Sequence, residues 1–117
     1  VQALGILLHR AADGPALIVA PTSVGTNWVR EAQRFAPSLR PKLYREHDRQ
    51  HLVVQSGPND LVITSYQLLQ RDVERFASRG WTTLVLDEAQ FIKNFQTKTA
   101  QAVRELDADW RLALTGT

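Results

Sequence analysis

Apolar residues in this chain alternate between short continuous runs and stripes at helical spacing. Ala16–Ala20, Leu61–Thr64 and Thr83–Leu86 are runs with almost no polar interruption. Runs of that length read as strands covered on both faces, as in a parallel sheet. Between them lie helical stripes. Val1, Leu4, Leu8 and Ala11 share one face, and Asp13-Gly14-Pro15 ends that helix. Trp28, Val29, Ala32, Phe35 and Ala36 form a second stripe, stopped by Pro37. Lys42–Arg45 reads as a short strand, Glu46–Val54 as a poorly periodic helix, and Ser56-Gly57-Pro58-Asn59 as a turn. Ser65 is placed to cap a helix carrying Leu69, Val73 and Phe76. Thr97 is placed to cap a last helix with Ala100, Val103 and Leu106 inward, and Arg111–Leu114 is a closing strand. Strands alternating with helices predict an open α/β parallel sheet with helices on both faces.

Composition narrows the class without naming a function. At 117 residues, 44% hydrophobic and 22% charged, the chain suits one compact core and not a disordered segment. The formal charge of +2 leaves no broad basic footprint, so nucleic-acid binding does not follow from charge alone. There is no cysteine, which excludes disulfides and zinc–thiolate sites and is compatible with a reducing cytoplasm. No apolar run approaches the roughly 20 residues of a membrane helix. His9, His47 and His51 form no metal-ligand constellation and read as surface residues.

The candidate chemistry stands at the end of the most apolar run. Thr83-Leu84-Val85-Leu86 stops abruptly at Asp87-Glu88-Ala89-Gln90. Ligands of open α/β sheets gather at the carboxyl ends of the strands. One carboxylate there suits Mg²⁺, which takes oxygen ligands and is usually bound through one or two carboxylates plus substrate phosphates. The next suits the activation of a water for attack on a phosphoryl group. The plain alternative is that Asp87 and Glu88 only begin a following helix.

Further elements stand in order around this pair. They are Leu17-Ile18-Val19-Ala20-Pro21-Thr22-Ser23, Asn27-Trp28-Val29-Arg30-Glu31, Leu61-Val62-Ile63-Thr64-Ser65-Tyr66, Phe91-Ile92-Lys93-Asn94 and Leu112-Ala113-Leu114-Thr115-Gly116-Thr117. Together they resemble motifs Ia, Ib, II and III of the Swi/Snf-type DNA translocases, a branch of the DEAD/DEAH helicase-like ATPases. The Asn-Trp-x-x-Glu element, Ile-Lys-Asn and Leu-Thr-Gly-Thr belong to this branch more than to helicases at large. The resemblance spans essentially the whole chain and implies residues 1–117 of a first RecA-like ATP-binding lobe. It implies ATP and Mg²⁺ as cofactors, with Asp87 holding the metal, Glu88 activating water and Gln90 sensing the γ-phosphate. It implies double-stranded DNA as partner, touched by Pro21, Thr22, Ser23, Thr64, Ser65, Tyr66, Lys93 and Asn94. Thr115, Gly116 and Thr117 would couple hydrolysis to movement against a second lobe of the same protein. The implied compartment is the cytoplasm, with association with the nucleoid or placement in a nucleus according to source.

No Gly-x-x-x-x-Gly-Lys-Ser/Thr phosphate loop occurs, since none of Lys42, Lys93 and Lys98 follows a glycine. There is no methionine either. The expectation is a piece of a longer protein that starts after the phosphate loop, stops within motif III and is inactive alone. In lobes resembling this one, the strand entering the phosphate loop lies beside the motif III strand. Arg111–Leu114 is therefore expected as an exposed edge. Several residues keep a second reading: Pro21-Thr22-Ser23 as a plain turn, Ser65 as a cap with Tyr66 half-buried, Trp28 as core or interdomain packing. Two other functions also stand beside the translocase, a strand-separating helicase lobe and a non-catalytic docking or DNA-binding module.

Overall fold

The computed structural model describes residues 2–45, 50–92 and 97–115. A five-stranded, all-parallel sheet is ordered β2-β3-β1-β4-β5, with β1 Ala16–Val19, β2 Arg40–Leu43, β3 Asp60–Thr64, β4 Gly80–Leu86 and β5 Asp107–Ala113. Side chains of β1 alternate between two cores. Ile18 and Ala20 join Ala3, Leu4, Leu7, Trp28, Ala32, Ile63 and Val85 under α1 (Gln2–Arg10) and α2 (Thr22–Phe35). Leu17 and Val19 join Val62, Leu69, Phe76, Trp81, Leu84 and Val103 on the other face. That face is covered by α3 (Gln50–Val54), α4 (Tyr66–Arg71), α5 (Val73–Ala77) and α6 (Lys98–Glu105). Helices on both faces and a parallel sheet are as the alternation predicts.

Several elements differ from expectation in phase or extent. The buried face of α1 is Ala3, Leu4 and Leu7, continued by Ala11 just past its end, and Leu8 lies outward at 38% exposure. On α2 the inward residues are Gly25, Trp28, Ala32 and, just past its end, Ala36, whereas Phe35 is 49% exposed. A Cβ at Gly25 would come within 3.2 Å of Leu43 Cδ1, so glycine lets α2 lie close on the sheet. The strand expected over Lys42–Arg45 begins at Arg40, and Pro41 fits because β2 is an edge strand. The expected single helix after Ser65 breaks at Asp72, whose carboxylate accepts hydrogen bonds from the Tyr44 hydroxyl and the Arg71 guanidinium. Both predicted caps form: Ser65 Oγ accepts from Leu68 N–H and Thr97 Oγ1 from Ala100 N–H, each at 3.1 Å. The closing strand starts four residues early, at Asp107, and is the other edge of the described sheet.

Asp60, 6% exposed at the start of β3, anchors the β2 edge. Its carboxylate accepts from Gly57 N–H at 2.8 Å and Arg40 Nε at 2.8 Å, with Lys42 Nζ 3.5 Å away. Burial pushes its pKa up, but the Gly57 N–H and the two cations outweigh this and leave it below the ordinary value of 3.8. A carboxyl lowered on folding contributes stability above its unfolded pKa, and the contribution vanishes as pH falls through the folded value. Asp60→Asn is therefore expected to lower stability to urea near neutral pH, with the gap to the parent chain narrowing as pH falls below the ordinary carboxylate value. A gap that stays constant over that range would refute the assignment.

Candidate functional site: the carboxyl edge of the sheet

Every described candidate residue lies at the edge where the strands deliver their carboxyl ends. Ala20-Pro21 leaves β1, Thr64-Ser65 leaves β3, Asp87-Glu88 leaves β4 and Leu114-Thr115 leaves β5. The chain passes from β3 across β1 to β4, so the crevice beside β1 is a topological switch point.

Asp87 is held by four hydrogen bonds. Its N–H donates to Val19 C=O at 2.8 Å, continuing the pairing of β4 with β1. The Trp28 indole Nε1–H donates to Asp87 Oδ2 at 2.7 Å, and Glu88 N–H donates to Oδ1 at 2.9 Å. The Tyr66 hydroxyl donates to the Asp87 carbonyl at 2.7 Å. Each carboxylate oxygen thus accepts one hydrogen bond and keeps lone pairs for a hard cation, so the donor set fits Mg²⁺. A cleft of about 230 Å³ opens beside Asp87 and is lined by Leu4, Asn27, Trp28, Glu31 and Leu114. Burial first, then the neighbouring Asp87 and Glu88 charges, push the Tyr66 pKa far above its ordinary value. Tyr66 therefore remains a donor at any physiological pH.

Glu88 sits at φ +53°, a left-handed conformation uncommon for a residue with a side chain. Gln90 Nε2 donates to Glu88 Oε1, while Gln90 Oε1 is buried without a hydrogen-bond partner among the described residues. An unpaired buried acceptor is a feature that a functional site can carry. Ala89 N–H donates to Leu114 C=O at 2.7 Å, tying the acidic turn to the segment that runs into exposed Thr115. Asp87, Glu88 and Gln90 are thus gathered in one turn with Leu114-Thr115 beside them.

A second groove, of about 460 Å³, lies on the same edge beyond β1. Pro21, Thr22, Thr64 and Ser65 line it together with Arg45 and Gln67. Thr22 and Ser23 are exposed on the first turn of α2, although Ser23 does not line the groove. Thr64 is 2% exposed, and its hydroxyl has no partner among the described residues. Tyr66 does not line the groove; it is buried behind Ser65 and turned to Asp87. Lys93, Asn94, Gly116 and Thr117 lie outside the described residues, as does His47. No cluster of His, Cys, Asp and Glu suited to a metal occurs among the described residues, so any ion at Asp87 would need further oxygen ligands, such as phosphate or water.

The Trp28–Asp87 hydrogen bond is not evident from sequence, because packing alone accounts for a tryptophan on an apolar helical stripe. The signal that could point to it is Asn27-Trp28-x-x-Glu31, whose named residues all line the cleft beside Asp87. Arg45 and Gln67 carried no sequence signal of their own.

A parallel sheet with helices on both faces and an acidic pair at its switch point is an open α/β fold with a candidate ligand site at its carboxyl edge. The SNF2-related domain model matches residues 2–117, and the chain belongs to that family. The Bacillus subtilis protein YwqA is 41% identical over 124 residues, a match covering all of this chain and 13% of YwqA. Helicase SWR1 of Candida albicans is 37% identical over 126 residues, covering all of this chain and 8% of SWR1. The SWI2/SNF2 ATPase core of Sulfolobus solfataricus in complex with double-stranded DNA superimposes with a TM-score of 0.80 at 37% identity. That alignment covers 97% of this chain and 24% of the archaeal one. The chain thus spans about a tenth of these curated relatives and a quarter of the solved core. Among the described residues no helix is long and apolar enough to cross a membrane.

Proposed function

We propose that residues 1–117 form part of the first ATP-binding lobe of a DNA-dependent ATPase that moves along double-stranded DNA and remodels proteins bound to it. The observation that carries this reading is Asp87: a carboxylate at the switch point, held by Trp28, Tyr66 and Glu88 yet open to a cleft. In the working enzyme Asp87 holds Mg²⁺, which supplies charge neutralisation on the nucleotide phosphates. Glu88 orients and deprotonates the attacking water, and Gln90 reads the γ-phosphate through its buried, unpaired Oε1. Catalysis of this kind is mostly positioning and electrostatics. Thr115, Gly116 and Thr117 pass the state of the acidic turn to a second lobe, supported by the Ala89–Leu114 hydrogen bond.

Duplex DNA lies along the groove, with Pro21, Thr22, Ser23 and Ser65 on its sugar-phosphate backbone. Hydroxyls and backbone N–H groups at that position suit phosphate, which fixes position and not sequence. Lys93 and Asn94 complete the contact surface, while Thr64 and Tyr66 support it from below. The archaeal core bound to double-stranded DNA favours a duplex over a single strand as the partner. Hydrolysis by the full-length protein should rise with duplex DNA and respond much less to single-stranded DNA of the same sequence. Equal stimulation by single strands would favour a strand-separating helicase instead.

The 117 residues alone contain no phosphate loop, so their binding of Mg·ATP should be negligible. Their DNA binding should be salt-sensitive and sequence-independent, no tighter than about 10⁻⁴ to 10⁻⁶ M. Titration calorimetry and fluorescence anisotropy measure the two, and a nanomolar sequence-specific complex would overturn the translocase reading.

A further inference from the structure

The two hydrogen bonds that Asp87 accepts from other elements come from residues that stand just behind the lining of the proposed DNA groove. Thr22, Gly25 and Thr26 of α2 line that groove, and Trp28 follows on the same helix. Ser65 lines it too, and Tyr66 is the next residue. Trp28 Nε1–H fixes the Asp87 carboxylate, and the Tyr66 hydroxyl fixes the Asp87 backbone. Trp28 and Tyr66 are 9% and 7% exposed, so both bonds are shielded from competing water. Neither residue is within reach of groove contents by its own polar atom, since each has turned it to Asp87.

We propose that Trp28 and Tyr66 are positioning residues that set the geometry of Asp87 and tie that geometry to occupancy of the groove. A ligand on Thr22 and Ser65 shifts the start of α2 or of α4. Because each start is one or two turns, or one residue, from a donor to Asp87, a shift of α2 acts on the carboxylate through Trp28, and a shift of α4 acts on it through the Asp87 backbone held by Tyr66. The coupling is reciprocal: metal and nucleotide at Asp87 must tighten DNA binding by the same factor by which DNA tightens metal binding. The inference rests on the functional reading above, since it takes Asp87 as the metal ligand.

The test uses the full-length protein, ADP and Mn²⁺ in place of Mg²⁺. Free Mn²⁺ is followed by electron paramagnetic resonance with and without duplex DNA. Trp28→Phe keeps an aromatic ring but loses the N–H, and Tyr66→Phe loses a single hydroxyl. Removing a partner that orients a metal ligand typically costs about 10- to 100-fold in metal affinity. The expected result is a loss near the lower end, about 10-fold, for Trp28→Phe, with the effect of DNA on Mn²⁺ affinity reduced in each variant and lost in the double variant. Thermal melts are run beside it. Should Trp28→Phe fail to fold, Tyr66→Phe alone must still weaken the DNA effect. Unchanged Mn²⁺ affinity and an unchanged DNA effect in folded variants would overturn the proposal, whatever their melting temperatures. If Asp87→Asn also leaves Mn²⁺ binding unchanged, the functional reading falls, and the positioning role falls with it.

Discussion

Replacing Glu88 with Gln in the full-length protein is expected to abolish most DNA-stimulated ATP hydrolysis while leaving nucleotide binding near normal. The exchange keeps size and hydrogen-bonding reach and removes only the group able to take a proton from water. A positioned general base is worth about 10²- to 10⁴-fold in rate, and the loss should fall in that range. The left-handed backbone at Glu88 and the hydrogen bond from Gln90 Nε2 are compatible with either side chain, so the fold should survive. Asp87→Asn should differ, because the carboxylate that accepts from Trp28 Nε1 and Glu88 N–H is also the one proposed to hold the metal. There, Mg²⁺-dependent nucleotide binding should weaken along with turnover. Steady-state hydrolysis with saturating duplex, paired with fluorescent-nucleotide binding, separates the two. Near-normal turnover by Glu88→Gln would remove Glu88 from the chemistry.

The largest effect on stability is expected from Trp81→Ala. Trp81 is 1% exposed at the start of β4, stacks near Phe76 with ring centroids 6.4 Å apart, and donates its Nε1–H to Phe76 C=O at 2.9 Å. The Arg79 guanidinium lies 5.3 Å from its ring centre while donating to Val53 C=O at 2.9 Å, so α3, α5 and β4 meet at this residue. Truncation leaves a cavity and an unpaired carbonyl, and aromatic-to-alanine changes in cores cost about 3–5 kcal/mol. Against a typical total of about 5–15 kcal/mol, that brings the chain close to unfolding at room temperature. Urea unfolding followed by circular dichroism measures it, and a cost below about 1 kcal/mol would mean that the site collapses around the gap.

What could be read from the residues depended on how completely each element was covered. β1, β3 and the second half of β4 are buried on both faces, so their apolar runs announced them. β5 alternates exposed and half-buried positions from Asp107 onward, and its polar residues hid the first half of the strand. β2 is an edge whose first residues, Arg40 and Pro41, fall outside the strand expected from Lys42 onward, because a charge and a proline give no strand signal. Leu8 and Phe35 fit helical stripes and still face outward, because periodicity gives a stripe but not its rotation against the sheet. At the break, Asp72 is held from outside the helix by the Tyr44 hydroxyl, a partner 28 positions away that local periodicity does not show. The acidic pair was legible because it interrupts an apolar run. Its grip by Trp28 was not, because that hydrogen bond joins positions 59 apart in the chain.

The most direct measurement is displacement of a third strand from duplex DNA by the full-length protein. A triplex-forming oligonucleotide placed ahead of the protein reports movement along an intact duplex. The expected result is ATP-dependent release of the third strand, with the underlying duplex left paired and release lost in Glu88→Gln. Separation of the duplex itself, or release that proceeds equally without ATP, would contradict the assignment of Asp87 and Glu88 to a motor that travels on double-stranded DNA.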